Sequence, residues 1–170
     1  DIMNIDSKKR WEVIKSVGYL ENDLDFLFVD TPAGASDSSI EFAAACDKVI
    51  IVLVGEPTSF MDAYAFIKAL SIEKNIDSVS IVVNMASDAA DALNSYKSFQ
   101  KIVLKFLSID LKFVGWLPQS KAISNSIVAR KPFVLNKKAN SNLALRIADI
   151  IKKVKEAGKI KSNSIKFFDK

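Results

Sequence analysis

The stretch Asp25-Phe26-Leu27-Phe28-Val29-Asp30-Thr31-Pro32-Ala33-Gly34 constrains the fold more than any other part of the sequence. From Leu24 to Val29 the residues are apolar almost without a break, as in a strand covered on both faces of a parallel sheet. The run stops at a carboxylate and a hydroxyl, Asp30 and Thr31, and a Pro/Gly turn follows. Open α/β sheets place ligands beyond the carboxyl ends of their strands, which is where this spacing puts Asp30. Ser36, Asp37 and Ser38 then offer N-caps for a helix. A carboxylate beside a helix N-terminus suits a hydrated metal ion and a phosphate. An ordinary Asp-Thr-Pro turn closing a buried strand reads equally well from this stretch alone.

The rest of the chain repeats the pattern. Asp6 caps a first helix with Trp11, Ile14, Val17 and Leu20 on one face. After Gly34 come a short Ala-rich helix (Ser38 to Cys46) and a second apolar run (Val49 to Val54). Glu56-Pro57-Thr58-Ser59, with Thr or Ser as a cap, leads to a helix with Phe60, Ala63, Ile67 and Leu70 aligned. Val79 to Val83 predicts a third strand ending at Asn84. Ser87 then caps a longer helix whose apolar positions are Ala89, Leu93, Tyr96, Val103, Phe106 and Leu107. Leu111 to Leu117 predicts a fourth strand, in which Gly115 allows close approach and Pro118 ends the run. A short helix with Ile123, Ile127 and Val128 stops before Pro132. Ser141 caps a last helix with Leu143, Ile147, Ile150, Ile151 and Val154 inward, and Gly158 stops it. Strands alternating with helices imply right-handed crossovers and a three-layer α/β fold with a mostly parallel sheet.

Composition narrows the chemistry. At 170 residues the chain is one domain's worth of core. No apolar run is long enough to span a bilayer. There is no histidine, which excludes histidine triads and histidine metal sites, and the single Cys46 excludes an internal disulfide and suits a reducing cytoplasm. Within Phe42-Ala43-Ala44-Ala45-Cys46 the cysteine reads as core packing. The net charge is +4, and residues 152–170 carry seven lysines and two acids, so the remainder is close to neutral. The basic character belongs to the tail, which argues against a body-wide nucleic-acid face. With five glycines and no G-x-x-x-x-G-K-[ST] loop, this chain is not expected to cradle a triphosphate unaided.

The strand ends carry a resemblance. Asp30-Thr31-Pro32-Ala33-Gly34, then Glu56-Pro57-Thr58-Ser59 with Asp62-Ala63-Tyr64, then Asn84-Met85, Gly115-Trp116-Leu117-Pro118 and Arg130-Lys131-Pro132-Phe133 follow in order. Together, from about Asp23 to Ile151, they resemble the MinD/ParA class of deviant-Walker P-loop ATPases, and within it the FlhG (YlxH, FleN) group of flagellar number and placement regulators. The resemblance implies a P-loop NTPase fold of MinD-like type, incomplete at its N-terminal side. Residues 1–158 would be a partial ATPase domain without the P-loop strand and switch I, and residues 159–170 a basic tail.

The resemblance also implies roles. Asp30 would be the Walker B aspartate, holding the water shell of Mg²⁺, and Thr31 and Gly34 would belong to switch II, which senses the γ-phosphate of ATP. Asn84 would bond the adenine edge, with Pro118 and Gln119 flanking the base. An amide can donate and accept at once, which matches that edge, although an Asx-type cap on the strand end fits Asn84 too. Gln119-Ser120 stands where many relatives have Pro-x-Asp, so no carboxylate meets the base or ribose there. No catalytic residue is expected in this chain, which alone should be inactive. Ile160, Ile165, Phe167 and Phe168, among Lys161 and Lys166, resemble a membrane-targeting segment, against a frayed, solvated terminus as the other reading.

The implied protein is a cytoplasmic regulator, with a peripheral place at the inner membrane. It would form a homodimer with ATP and work with an FlhF-type GTPase and flagellar basal-body proteins. A ParA-type partition ATPase that binds DNA is one alternative. A receiver-like domain phosphorylated at Asp30 is another, but it needs an acidic pair after an earlier strand and a late lysine. Asp1 and Asp6 precede any strand, and Pro118 stands in the lysine's place.

Overall fold

In the computed structural model, residues 6–135 and 141–168 are described. Eleven elements follow one another along them. Asp6 accepts the Lys9 amide at 2.9 Å and starts α1, Ser7–Gly18, and a 3₁₀ turn over Glu21–Asp23 follows. Ser36 accepts the Ser39 amide at 3.2 Å and starts α2, Asp37–Ala45. Then come β1 (Ile50–Val54), α3 (Pro57–Lys74), β2 (Ser78–Ala86), α4 (Ala89–Leu104), β3 (Asp110–Pro118), α5 (Lys121–Val128), a 3₁₀ turn (Phe133–Leu135) and α6 (Ser141–Glu156).

The sheet is parallel in the order β1-β2-β3, and each crossover is a helix, as the alternation of patterns requires. One face carries the main core. Ile51 and Leu53 of β1 and Val79, Ile81 and Val83 of β2 meet Ile67 and Leu70 of α3 and Phe99 and Val103 of α4. On the other face Val82 and Val114 pack under Val154 and Ile150 of α6. A Cβ at Gly115 would lie 2.5 Å from Ile150 Cγ1, so this glycine permits the close seating of α6 on β3. Beside α6 that face is bare, with Ile50 and Val52 of β1 exposed. Among the described residues no helix is long and apolar enough to cross a membrane.

Several expectations are corrected. Leu24 to Val29 is extended but belongs to no strand among the described residues. Its side chains alternate as a strand's would: Leu27 and Val29 pack on the cluster of Ile14, Phe42 and Phe167, while Leu24, Phe26 and Phe28 face out. Phe28 is 82% exposed. The run has a strand's sequence without a neighbouring strand to bond it.

Cap and face assignments shift as well. Trp11 and Leu20 lie exposed rather than inward. Helix α3 starts with Pro57 at its first turn and no side-chain cap, and Ser59 instead accepts the Val54 amide at 3.0 Å. Asp88, not Ser87, caps α4, and that helix buries Ala92, Tyr96, Phe99 and Val103 while Leu93 and Phe106 stay exposed. Ser141 is the first residue of α6 rather than its cap, and Ile151 is exposed.

The tail is docked along 159–168. Gly158, at φ 75, turns the chain after α6, and lysines satisfy the carbonyls of that helix end. Lys48 Nζ donates to Lys155 O at 3.1 Å and Gly158 O at 2.7 Å, and Lys112 Nζ donates to Ala157 O at 2.6 Å. Ile160 enters the main core, its amide bonded to Asp47 O at 2.8 Å. Lys159 pairs with Asp47 at 3.0 Å. The Phe167 ring stacks on Phe42 with centroids 6.3 Å apart, and its amide bonds Ala45 O at 3.0 Å. Lys166 Nζ donates to Ala44 O at 2.9 Å and Cys46 O at 2.7 Å. Burial there pushes the Cys46 thiol up to about 11, as expected of a packing cysteine.

Candidate functional site

The carboxyl ends of the three strands lie along one edge of the sheet, and there the β2–β3 register breaks. Val83 pairs with Trp116 and Ala86 with Pro118, so two residues of β2, Asn84 and Met85, stand opposite Leu117 alone. This is a bulge, which re-aims side chains at the rim of a sheet. Met85, within β2, takes φ 58, a conformation that side-chain-bearing residues avoid, and the residue is half exposed. Asn84 is half buried beside Leu117 and Pro118, and Gln119 is exposed just beyond them. Three of the expected base-side residues are thus brought to one short arc by sheet register.

Trp116, in the same strand end, is held from behind. The Arg146 guanidinium of α6 lies 4.0 Å from the centre of its ring. With Ile150 seated on Gly115, this contact ties the end of β3 to α6.

Asp30, Thr31 and Gly34 stand outside the sheet, in the extended segment that leads to α2. Asp30 is exposed and Thr31 half buried. Gly34 takes φ 98, and a Cβ there would meet nothing within 4 Å. A side chain at this turn is therefore excluded by conformation, not by crowding. After the turn, the Ser36 hydroxyl lies 2.9 Å from that of Ser39, and Ser38 and Ser39 are buried. The start of α2 is thus held by its own serine hydroxyls, just after the exposed turn at Gly34.

At the other side, α2 is held by Arg10, whose guanidinium bonds Glu41, and Ser7 donates to the same carboxylate at 3.2 Å. Burial pushes the Glu41 carboxyl up, but the Arg10 hydrogen bond and charge and the Ser7 hydroxyl outweigh it, and the group titrates below its ordinary range. An open cavity of about 240 Å³ lies nearby, between α1, the end of α3 and the tail. It is remote from Asn84 in sequence and shares no lining residue with the strand ends.

The donor set bears on the implied Mg²⁺ and ATP. Among the described residues no group of three or more Asp, Glu, Cys or His is arranged to hold a metal ion. Asp30 fits the role of a carboxylate that orients a metal-bound water, which needs no direct ligation. The Asn84 amide beside Leu117 and Pro118 fits a purine edge and face. Nothing here fits the triphosphate, for which the chain has no glycine-lysine loop. The bulge at Asn84 and Met85, and the cation–π backing by Arg146, leave no local sequence signal. Both arise from register and packing across the chain.

Comparison with known proteins places the chain in a family. The family model described as ParA, NUBPL iron-transfer P-loop NTPase, matches residues 11–155. Antiactivator FleN of Pseudomonas aeruginosa is 32% identical over 115 residues, covering 68% of this chain and 41% of FleN. Flagellum site-determining protein YlxH of Helicobacter pylori is 30% identical over 131 residues, covering 76% of this chain and 43% of that protein. Septum site-determining protein MinD of Bacillus subtilis is 27% identical over 136 residues, 79% of this chain and 50% of MinD. The chain thus spans half or less of the length of these relatives. On the family match and the parallel α/β fold together, the chain belongs to the ParA/MinD family of P-loop NTPases.

Proposed function

We propose that this chain is the base-side half of a nucleotide-switched regulator that controls flagellar number or placement. ATP with Mg²⁺ would be bound between these strand ends and a P-loop segment, and ATP would bring two copies together as a dimer. The observation that supports this reading best is the bulge that sets Asn84 against Leu117 and Pro118 at the carboxyl edge of the sheet. Asn84 recognises the adenine edge, Pro118 and Gln119 flank the ring, and Asp30 orients the water shell of the metal. Thr31 and Gly34 form the loop that responds to the terminal phosphate and passes that response to α2. The metal neutralises phosphate charge and polarises the transferred group when bound. FleN and YlxH, by their names an antiactivator and a flagellum site-determining protein, support the flagellar assignment. The partners in that setting are an FlhF-type GTPase and basal-body proteins. Membrane contact through Ile165, Phe168 and Lys161 would require the docked tail to leave α2, since Ile160 and Phe167 are buried there.

The test is calorimetric titration of the full gene product with ATP and GTP, alone and as Asn84→Ala. We expect ATP binding to weaken about tenfold, or about 1.4 kcal/mol, from loss of the paired amide bonds. Tripolyphosphate binding should stay unchanged. Equal affinity of wild type and variant for ATP would refute the base-side reading.

A further inference from the structure

The cavity of about 240 Å³ between α1, the end of α3 and the tail has no part in the nucleotide reading. Its apolar lining is Ile14, buried in α1, Ile165 of the tail, and the Trp11 indole, which is 51% exposed. Its polar lining includes Glu41, Glu73, Lys74 and Asn163. An apolar and aromatic wall with a few charged groups is the composition of small-molecule sites. A cavity of about 150 Å³ already holds benzene, so this one has room for a ligand the size of a single amino acid.

The charges on the cavity wall add an independent observation. Glu41 is engaged by Arg10 and Ser7. Glu73 and Lys74 are not: among the described residues neither forms an ion pair. They are the last two residues of α3, and adjacent positions on a helix do not face each other, so they do not neutralise one another. Lys74 suits the negative end of the helix, whereas a carboxylate there is repelled by the carbonyl dipoles. The Glu73 charge thus stands in an unfavourable place that no described side chain offsets, and it lines a cavity that an outside ammonium group can enter.

The chemistry selects one class of ligand. A simple anion would meet Lys74 but also Glu41 and Glu73. A simple cation would meet Glu73 but also Lys74, and an uncharged apolar molecule would leave both charges unused. A zwitterion with a short apolar side chain satisfies all three features. Its ammonium group pairs with Glu73, its carboxylate with Lys74 and the Asn163 amide, and its side chain lies against Trp11, Ile14 and Ile165. We propose that this cavity is a binding site for a free α-amino acid with an apolar side chain. Its occupant would touch α1, α2, α3 and the tail at once and so hold these four segments together. This goes beyond the nucleotide reading and does not rest on it.

The experiment titrates the full gene product, free of nucleotide and at neutral pH, with L-leucine and L-phenylalanine in a calorimeter. Leucinamide, which lacks the carboxylate, and 4-methylpentanoate, which lacks the ammonium group, serve as controls. At least one of the two amino acids should bind saturably, and each control should bind about tenfold or more weakly than leucine. Glu73→Gln and Lys74→Met should each weaken binding by a similar factor, and Trp11→Ala about tenfold. The melting temperature of unliganded Glu73→Gln should be kept or raised, because a neutral side chain suits that helix end, so its loss of binding is not a loss of fold. Failure of both amino acids to saturate the protein by about 10 mM overturns the proposal. So does either control binding as tightly as leucine, or either charge variant binding the amino acids like wild type.

Discussion

Replacing Phe167 by Ala tests whether the C-terminal residues are part of the fold. Phe167 is 6% exposed, stacks on Phe42 and bonds Ala45 O through its amide. Removing a buried phenyl ring of about 170 Å² at ~25 cal/mol per Å² gives about 4 kcal/mol. Compaction of the denatured chain and the entropy of ordering a terminus reduce this to about 3 kcal/mol. With an m-value of about 2 kcal/mol per molar urea, the midpoint of unfolding should fall by about 1.5 M. Circular dichroism at equilibrium in urea reads the shift. Phe167→Leu, which keeps most of the volume, should cost about a third as much. A midpoint unchanged within about 0.2 M for Phe167→Ala would show that the tail contributes nothing to the folded state and would refute the packing argument.

Two further predictions concern other joints. Gly115→Ala sets a Cβ 2.5 Å from Ile150 Cγ1 and should cost about 2 kcal/mol. Adding Ile150→Ala should recover part of this, so a double-mutant cycle additive within about 0.5 kcal/mol would refute the contact. Glu41 titrates below its ordinary range, so its contribution is fully present above about pH 4.3 and is lost as pH falls through the lowered folded value. Glu41→Gln should therefore be less stable than wild type at neutral pH. The gap should narrow in acid, whereas parallel pH profiles of the two would contradict the Arg10 pairing.

Much of the architecture was legible because buried strands and covered helix faces leave periodic apolar patterns. Val49–Val54, Val79–Val83 and Leu111–Leu117 each hold a strand, and Ala63, Ile67 and Leu70 face the core as their spacing requires. Leu24–Val29 shows the limit. An apolar run reports that a segment is built to be covered, but a strand also needs a neighbour's amides and carbonyls, and sequence pattern does not count neighbours. The burial of Ile160 and Phe167 was hidden for a related reason. Irregular spacing among lysines carries no helical or strand period, and these residues are buried by contacts with Asp47, Ala44, Ala45 and Cys46, more than a hundred positions away. At the candidate site, residue types such as Asn84 and Asp30 were readable, whereas the bulge that aims Asn84 depends on the pairing of β2 with β3.

The small cluster of Ile14, Phe42, Ala45 and Phe167 has a consequence for how the chain assembles. Residues 49–118 can form their parallel ladder through successive short crossovers, but this cluster closes only when segments about 150 residues apart meet. Loop closure over that span is slow and entropically costly, so the two ends should join last and part first. Native-state hydrogen exchange would then show α1, α2 and residues 159–168 opening as one unit, below the free energy that opens β2 and β3. The helix that follows the Thr31 to Gly34 turn, for which a phosphate-responsive role is proposed above, would thus sit in the least stable part of the domain, where a ligand can shift it most readily.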